Sequence, residues 1–190
     1  NREASLEREK KIVRWLDTIK QDATEIFLLG DIFDFWFEYK RAVPKGFVRL
    51  LGKLSEIRDS GIPLHVFVGN HDLWMFGYFE EELGIPVYHQ PKVFERGGKK
   101  LFLGHGDGLG PGDHKFKFYK KLYVSKICQW LYGSLHPNVG LGMGSKISQG
   151  NRGGDAPFQG EKEWLVQFAR THLQQEHIDY FVFGHRHLPM

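Results

Sequence analysis

A chain of 190 residues with 41% hydrophobic content has room for one domain with a sizeable core. Its single cysteine, Cys128, excludes an internal disulfide and a cysteine-based zinc ribbon, and points to a reducing compartment. The net charge is only +3, there is no repeat or low-complexity tract, and no apolar stretch is long enough to span a bilayer.

In chain order, residues 5–20 read as an amphipathic helix with Ser5 as a possible N-cap and Ile12, Val13, Leu16 and Ile19 on one face. Ile26-Phe27-Leu28-Leu29 is a buried strand that runs into Gly30-Asp31-Ile32-Phe33-Asp34. The aromatics of Phe35-Trp36-Phe37-Glu38-Tyr39 follow, and core packing beside a site explains them best. Residues 45–60 form a second amphipathic helix, with Phe47, Leu50, Leu51, Leu54 and Ile57 inward and Gly61 just past its end. His65-Val66-Phe67-Val68, opened by Pro63, is a strand leading into Gly69-Asn70-His71-Asp72. Helix is predicted over Trp74–Leu83, then a hairpin over Lys92–Leu103 turning at Gly97-Gly98 and delivering Gly104-His105-Gly106-Asp107.

Between His114 and Gly154 lie seven basic residues and no acidic one, so the rest of the chain carries −4. Within this segment Phe116, Tyr119, Tyr123, Ile127 and Trp130 recur at steps of three or four, which predicts one helical stripe. Such a segment suits a core-packed lid with a solvated face, or a surface that meets anionic lipid. Nucleic acid fits less well, because the acidic remainder would repel phosphates. Residues 134–160, rich in Gly, Ser and Asn, read as a flexible crossing in which Ser145 and Lys146 could reach a phosphate. A last amphipathic helix over 160–176, with Trp164, Leu165, Phe168 and Leu173 inward, precedes the strand Tyr180-Phe181-Val182-Phe183 and the block Gly184-His185-Arg186-His187. His65, His89, His136, His172 and His177 have no ligand partners at recognisable spacing and read as structural or surface residues.

Four times, then, an apolar strand ends in glycine followed by metal-type ligands. Any one block is ordinary turn chemistry, but four in order, three of them with histidine, are not explained by turns and helix caps. Strands ending on one sheet edge would bring Asp31, Asn70, His71, His105, His185 and His187 into one crevice. A carboxylate can span two cations roughly 3.5–4 Å apart, while imidazole and amide oxygen add ligands without charge. This mixed donor set suits Mn²⁺, Fe or Zn²⁺ better than Ca²⁺.

The ordered set resembles the calcineurin-like metallophosphoesterases, whose pattern is D-x-H, G-D-x-x-D, G-N-H-[DE], a later G-H, and a terminal G-H-x-H. All but the first block are present, between residues 30 and 187. The resemblance implies an α/β fold, the αββα sandwich, and two divalent metal ions, most simply Mn²⁺. It implies that Asp31 bridges the metals, that Asn70, His105 and His185 complete one site, that His187 belongs to the other, and that His71 is the catalytic histidine. No D-x-H precedes Gly30, and Met190 follows soon after the last ligand pair. The expectation is therefore a single domain over 1–190 lacking the family's first strand and last strands, or ends that are disordered.

Within the family the chain is similar to the UDP-2,3-diacylglucosamine pyrophosphohydrolases of lipid A biosynthesis, which carry a helical cap after G-H-G-D. The match includes Gly30-Asp31-Ile32-Phe33-Asp34-Phe35-Trp36, Gly104-His105-Gly106-Asp107 and Asp113. It implies a cap over 113–150, with Asp113 a substrate contact at its foot; Asn70 and His71, together with Ser145 and Lys146 of the crossing segment, are the other candidate substrate contacts. It also implies a UDP-activated, acylated glucosamine as substrate, and peripheral association with the cytoplasmic face of an anionic inner membrane. The best-known branch has G-N-R-D and G-H-T-H where this chain has Gly69-Asn70-His71-Asp72 and Gly184-His185-Arg186-His187. That leaves a related branch open, as well as a general phosphodiesterase or nucleotide pyrophosphatase. A non-catalytic binding module on this fold is the reading from another class.

Overall fold

The computed structural model describes residues 2–112, 114–150 and 157–186. Strands β1 (Ile26–Leu28), β2 (Leu64–Phe67) and β3 (Val87–Tyr88) lie parallel in that order, with Ile26 opposite Leu64 and Val66 opposite Val87. Alternation along the strands assigns their two faces. Ile26, Leu28, Leu64 and Val66 pack into the main core, whereas Phe27 and Phe67 face a second one with Phe94 and Leu103. Both faces of β2 are covered, so Leu64, Val66 and Phe67 are apolar, and its one polar residue, His65, has both ring nitrogens hydrogen-bonded, to Glu25 and Tyr88.

Helices α1 (Arg2–Ile19) and α2 (Val48–Asp59) cover the first face through Leu16, Leu50, Leu54 and Ile57. Ile12, Val13 and Ile19 pack beside them as the periodicity predicts, but α1 starts earlier than expected and Ser5 lies within it rather than at its cap. Helix α2 is capped from outside. Its N-cap residue, Phe47, offers no side-chain acceptor, and Glu9 of α1 takes the Arg49 and Leu50 N–H groups at 2.8 and 3.2 Å.

The second sheet comprises β4 (Lys92–Arg96), β5 (Lys99–Gly104) and β6 (Tyr180–Phe183). The β4–β5 pair is the expected hairpin, Arg96 opposite Lys99 across Gly97-Gly98, and β6 runs parallel to β5. Its outer aromatics, Phe102, Phe181 and Phe183, meet Phe168 and His172 of α7 (Trp164–Leu173). Layers of helix, sheet, sheet and helix make the αββα sandwich. Leu165 is buried as predicted, whereas Leu173 is exposed at the end of α7.

Helix α3 is shorter than the sequence predicts, spanning only Tyr78–Leu83 rather than starting at Trp74. The reason is a competing anchor. Glu38 Oε2 accepts N–H bonds from Phe76, Gly77 and Tyr78 at 2.5–3.1 Å, so the helix can begin only there, and Trp74 pairs instead with Phe37. Replacing Glu38 with alanine should cost about 1–2 kcal/mol of stability, measured as a fall in the denaturation midpoint with unchanged m-value.

Between β5 and β6, ahead of α7, lie the helices α4 (His114–Tyr123), α5 (Lys126–Gly133) and α6 (Pro137–Gly150). Two sequence expectations are corrected here. The aromatic stripe is not one helix. A break at Val124-Ser125 separates Phe116, Tyr119 and Tyr123, which line a cavity, from Ile127 and Trp130, each 70% exposed. Nor are residues 137–150 a flexible crossing. Gly140 and Gly144 of α6 lie so close to Tyr39 and Phe35 that any side chain would overlap those residues, and tertiary packing overrides the poor helix propensity of Gly140, Gly142 and Gly144 in the helix interior.

Candidate active site

The four glycine-led blocks meet at the carboxyl ends of strands from both sheets, β1 and β2 of the first and β5 and β6 of the second. A crevice at the edge of one sheet is therefore corrected to one between two. The backbones after β1 and β2 almost touch. A Cβ on Gly30 would lie 2.6 Å from His105 Nδ1 and 2.7 Å from the Gly69 nitrogen, so only glycine fits. Asp31 and His185 are both left-handed, at φ 53, an uncommon conformation for residues with a side chain.

What holds these loops together is Asp72, a residue to which the sequence reading gave no role. Its carboxylate is fully buried and accepts the N–H groups of Gly69 (2.6 Å), Ile32 (2.7 Å), Asp31 (3.3 Å) and Phe33 (3.4 Å). Burial and the neighbouring charge of Asp31 push its pKa up to about 6. A carboxylate following G-N-H is the signal that could have revealed it, since successive N–H groups in a tight turn form an anion-binding nest.

Asp31, His105 and His185 place ligand atoms within 4.8 Å of one another. Asn70 Oδ1 joins them, 3.2 Å from His105 Nε2 and 2.9 Å from His185 Nδ1. His105 Nδ1 donates to the Leu29 carbonyl at 2.7 Å, leaving Nε2, 3.3 Å from Asp31 Oδ2, as the nitrogen that faces the cluster. Burial pushes the Asp31 carboxyl up, but the hydrogen bond and charge of His105 outweigh it and hold the group below its ordinary range. Burial pushes the His105 imidazole down, and the Asp31 carboxylate more than restores it. A half-buried carboxylate that favours positive charge on its neighbour suits a cation in the same place, and the oxygen and nitrogen donors fit a divalent transition metal.

His71 donates its backbone N–H to Asp31 Oδ1 at 2.9 Å, and its ring Nδ1 meets Ser148 Oγ of α6 at 2.7 Å. Beside these groups opens a cavity of about 760 Å³. Phe35 and Trp74 line one wall, Phe116, Tyr119 and Tyr123 of α4 another, and Met143 and Ile147 of α6 a third, with Asn70, His71 and His185 at one end. The α4 side is tied down by Lys120, whose ammonium lies 2.7 Å from the buried Asp107 carboxylate. Tyr132 of α5 packs against Phe37 and Trp74, at 4.8 and 4.6 Å between ring centres.

Residues 7–189 match the calcineurin-like phosphoesterase family. The chain belongs to that family. A UDP-2,3-diacylglucosamine hydrolase of Porphyromonas gingivalis is 36% identical to it, over 95% of this chain and 75% of that protein. Enzymes of the same name from Shewanella baltica and Histophilus somni are 26% and 27% identical, over 93% and 92% of the chain and 73% and 75% of their own lengths. Membership places this chain in a hydrolase family that works with divalent metal, and Asp31, His105 and His185 are a group with the donor atoms and spacing for such an ion.

Of the candidates read from sequence, Asp31, Asn70, His71, His105 and His185 come together in this crevice. Asp113 and His187 lie outside the described residues. Ser145 and Lys146 sit on α6 but are not among the residues lining the cavity, which that helix faces with Met143, Gly144, Ile147 and Ser148. The signal for Ser148 was a stripe of small residues, Gly140, Gly144 and Ser148, at steps of four. His65 is structural, its ring held between Glu25 at 2.8 Å and Tyr88 at 3.1 Å. No helix of the described residues is long and apolar enough to cross a membrane.

Proposed function

We propose that this chain hydrolyses the pyrophosphate of a UDP-linked, acylated glucosamine, releasing UMP and a diacylglucosamine 1-phosphate. The observation that carries the proposal is the largely aromatic and aliphatic cavity of about 760 Å³ whose lining includes Asn70, His71 and His185. Its size suits a small-molecule ligand, and its apolar walls suit acyl chains better than a nucleotide, which would ask for more polar partners. The names of the relatives point to the same substrate. On this reading residues 1–190 act as one metallophosphoesterase domain with 113–150 as its cap.

Asp31, Asn70, His105 and His185 would hold one divalent cation, and Asp31 with His187 would serve a second, the donor set suiting Mn²⁺, Fe or Zn²⁺ and the family resemblance favouring Mn²⁺. When bound, such ions polarise phosphoryl oxygens and supply an activated water for attack on the uridine-side phosphorus. The chain's own residues do the rest. The His71 N–H fixes the Asp31 carboxylate, His105 is oriented by the Leu29 carbonyl, and the His71 ring stabilises charge on the phosphoryl oxygens or protonates the departing sugar phosphate.

The exposed side of the insertion supports a peripheral membrane role. Phe118, Leu122, Ile127, Trp130 and Leu131 lie open beside the exposed lysines 115, 121 and 126, a pattern that suits the cytoplasmic face of an anionic bilayer. The test is UMP release from UDP-2,3-diacylglucosamine against UDP-N-acetylglucosamine, with Mn²⁺. A preference for the acylated substrate of at least roughly 100-fold in kcat/KM is expected, since binding of the chains is spent at the distant phosphorus. Equal turnover would make this a general nucleotide pyrophosphatase, and no turnover by the metal-loaded protein would leave a binding module.

A further inference from the structure

The hydrogen bond between Ser148 and His71 crosses from the insertion to the loop after β2, 77 residues apart in sequence. Ser148 is buried, and its hydroxyl has a second partner, the Asp34 carbonyl, to which it donates. A hydroxyl carries one hydrogen. With that hydrogen committed to Asp34, Ser148 Oγ can only accept from His71, so Nδ1 of the ring bears a proton and Nε2 is the nitrogen left to take up a second proton, which it then directs at the phosphoryl oxygens or hands to the departing group. The bond also fixes the plane of the ring. A surface serine meeting a histidine by chance would not be buried and doubly bonded.

Helix α6 brings Ser148 there by a close fit. Gly140 and Gly144, two turns and one turn earlier on the same face, lie against Tyr39 and Phe35 of the loop after β1, where no larger residue has room. Those aromatics come from the segment that carries Asp31 and Asp34. Seating of α6 on that segment and orientation of His71 are therefore one event.

We propose that Ser148 is a positioning residue for His71, one that sets the tautomer and plane of its ring only when helix α6 is seated on the loop after β1. The proposal rests on His71 being the catalytic histidine. It adds that a residue of the substrate-enclosing insertion, and not of the sandwich, completes the catalytic group, so that the site is fully formed only when the cavity is closed.

The test is Ser148→Ala, which removes one oxygen, with Ser148→Thr to restore a hydroxyl. Both are assayed on the acylated nucleotide sugar and on bis(p-nitrophenyl) phosphate, which is too small to need the cavity, and the ring nitrogens of His71 are followed by ¹⁵N NMR. Ser148→Ala should lower kcat roughly 10-fold to 100-fold on both substrates with KM within about twofold, as for other groups that orient an active-site histidine. Ser148→Thr should recover most of that loss. In the spectrum the proton fixed on Nδ1 in the parent protein should become shared between the two nitrogens in Ser148→Ala. A purely structural role for Ser148 would raise KM for the acylated substrate and leave kcat on the small one unchanged, and that result, or an unmoved His71 spectrum, overturns the proposal. Should the parent protein fail to release UMP, the substrate assignment falls, while the small substrate and the spectrum still decide the role of Ser148.

Discussion

Replacement of Asp31 by alanine is expected to lower turnover by at least roughly 10³-fold, equivalent to about 4 kcal/mol or more of lost transition-state stabilisation. The carboxylate has two tasks in one crevice. Oδ1 accepts the His71 backbone N–H at 2.9 Å, and Oδ2 lies 3.3 Å from His105 Nε2 within the cluster of ligand atoms. Its removal takes the only anion out of the Asp31, His105 and His185 group, and two neutral imidazoles hold a divalent cation far more weakly than the same pair with a carboxylate. Metal content measured after gel filtration should fall along with activity. Asp31→Asn keeps an oxygen for the His71 N–H but not the charge, so it should preserve the fold and still lose most turnover. Full activity in Asp31→Asn would refute the role assigned to the carboxylate.

Asp72→Ala should act on stability before chemistry, with a loss of about 3–4 kcal/mol and a fall in Tm of roughly 10 °C. Two effects oppose each other. Burial and the charge of Asp31 already raise the Asp72 pKa to about 6, so removing the carboxyl relieves some repulsion. Against that, Gly69, Asp31, Ile32 and Phe33 would all lose the acceptor of their N–H groups, inside the protein. Each orphaned donor costs about 1–3 kcal/mol, so the loss of four outweighs the relief. Asp72→Asn keeps one acceptor oxygen and should fall between the two. A thermal scan in which Asp72→Ala matches the parent protein would show that these loops are held by something else.

Much of the site was legible because its signals are local. A strand that ends in glycine and then a ligand, as Leu29-Gly30-Asp31 and Leu103-Gly104-His105 do, needs no knowledge of the partner strand to be recognised. Other elements depended on partners far away in sequence. Trp74 sits in a stretch with helical pattern, yet the Glu38 carboxylate holds the next N–H groups and delays the helix to Tyr78. Residues 137–150 have the glycine content of a loop, and they form a helix because Phe35 and Tyr39 require small residues at Gly144 and Gly140. The stripe from Phe116 to Trp130 has helical period throughout, but the break at Val124-Ser125 sends its first half into the cavity and its second half to the surface.

The sequence by itself determined the strands that carry the ligands, the family, and the candidate ligands Asp31, Asn70, His105 and His185 with His71 beside them. Those follow from residue type and short-range spacing, because a glycine turn and a two-residue strand period are set by a few neighbouring dihedral angles. Only the tertiary structure decided that the blocks converge from two sheets, that Asp72 fastens them, and that Ser148 reaches His71. Such contacts join residues 40 to 115 positions apart, as Asp31–His71 and Asn70–His185 do, and their geometry is fixed by packing and by the need to satisfy buried polar groups.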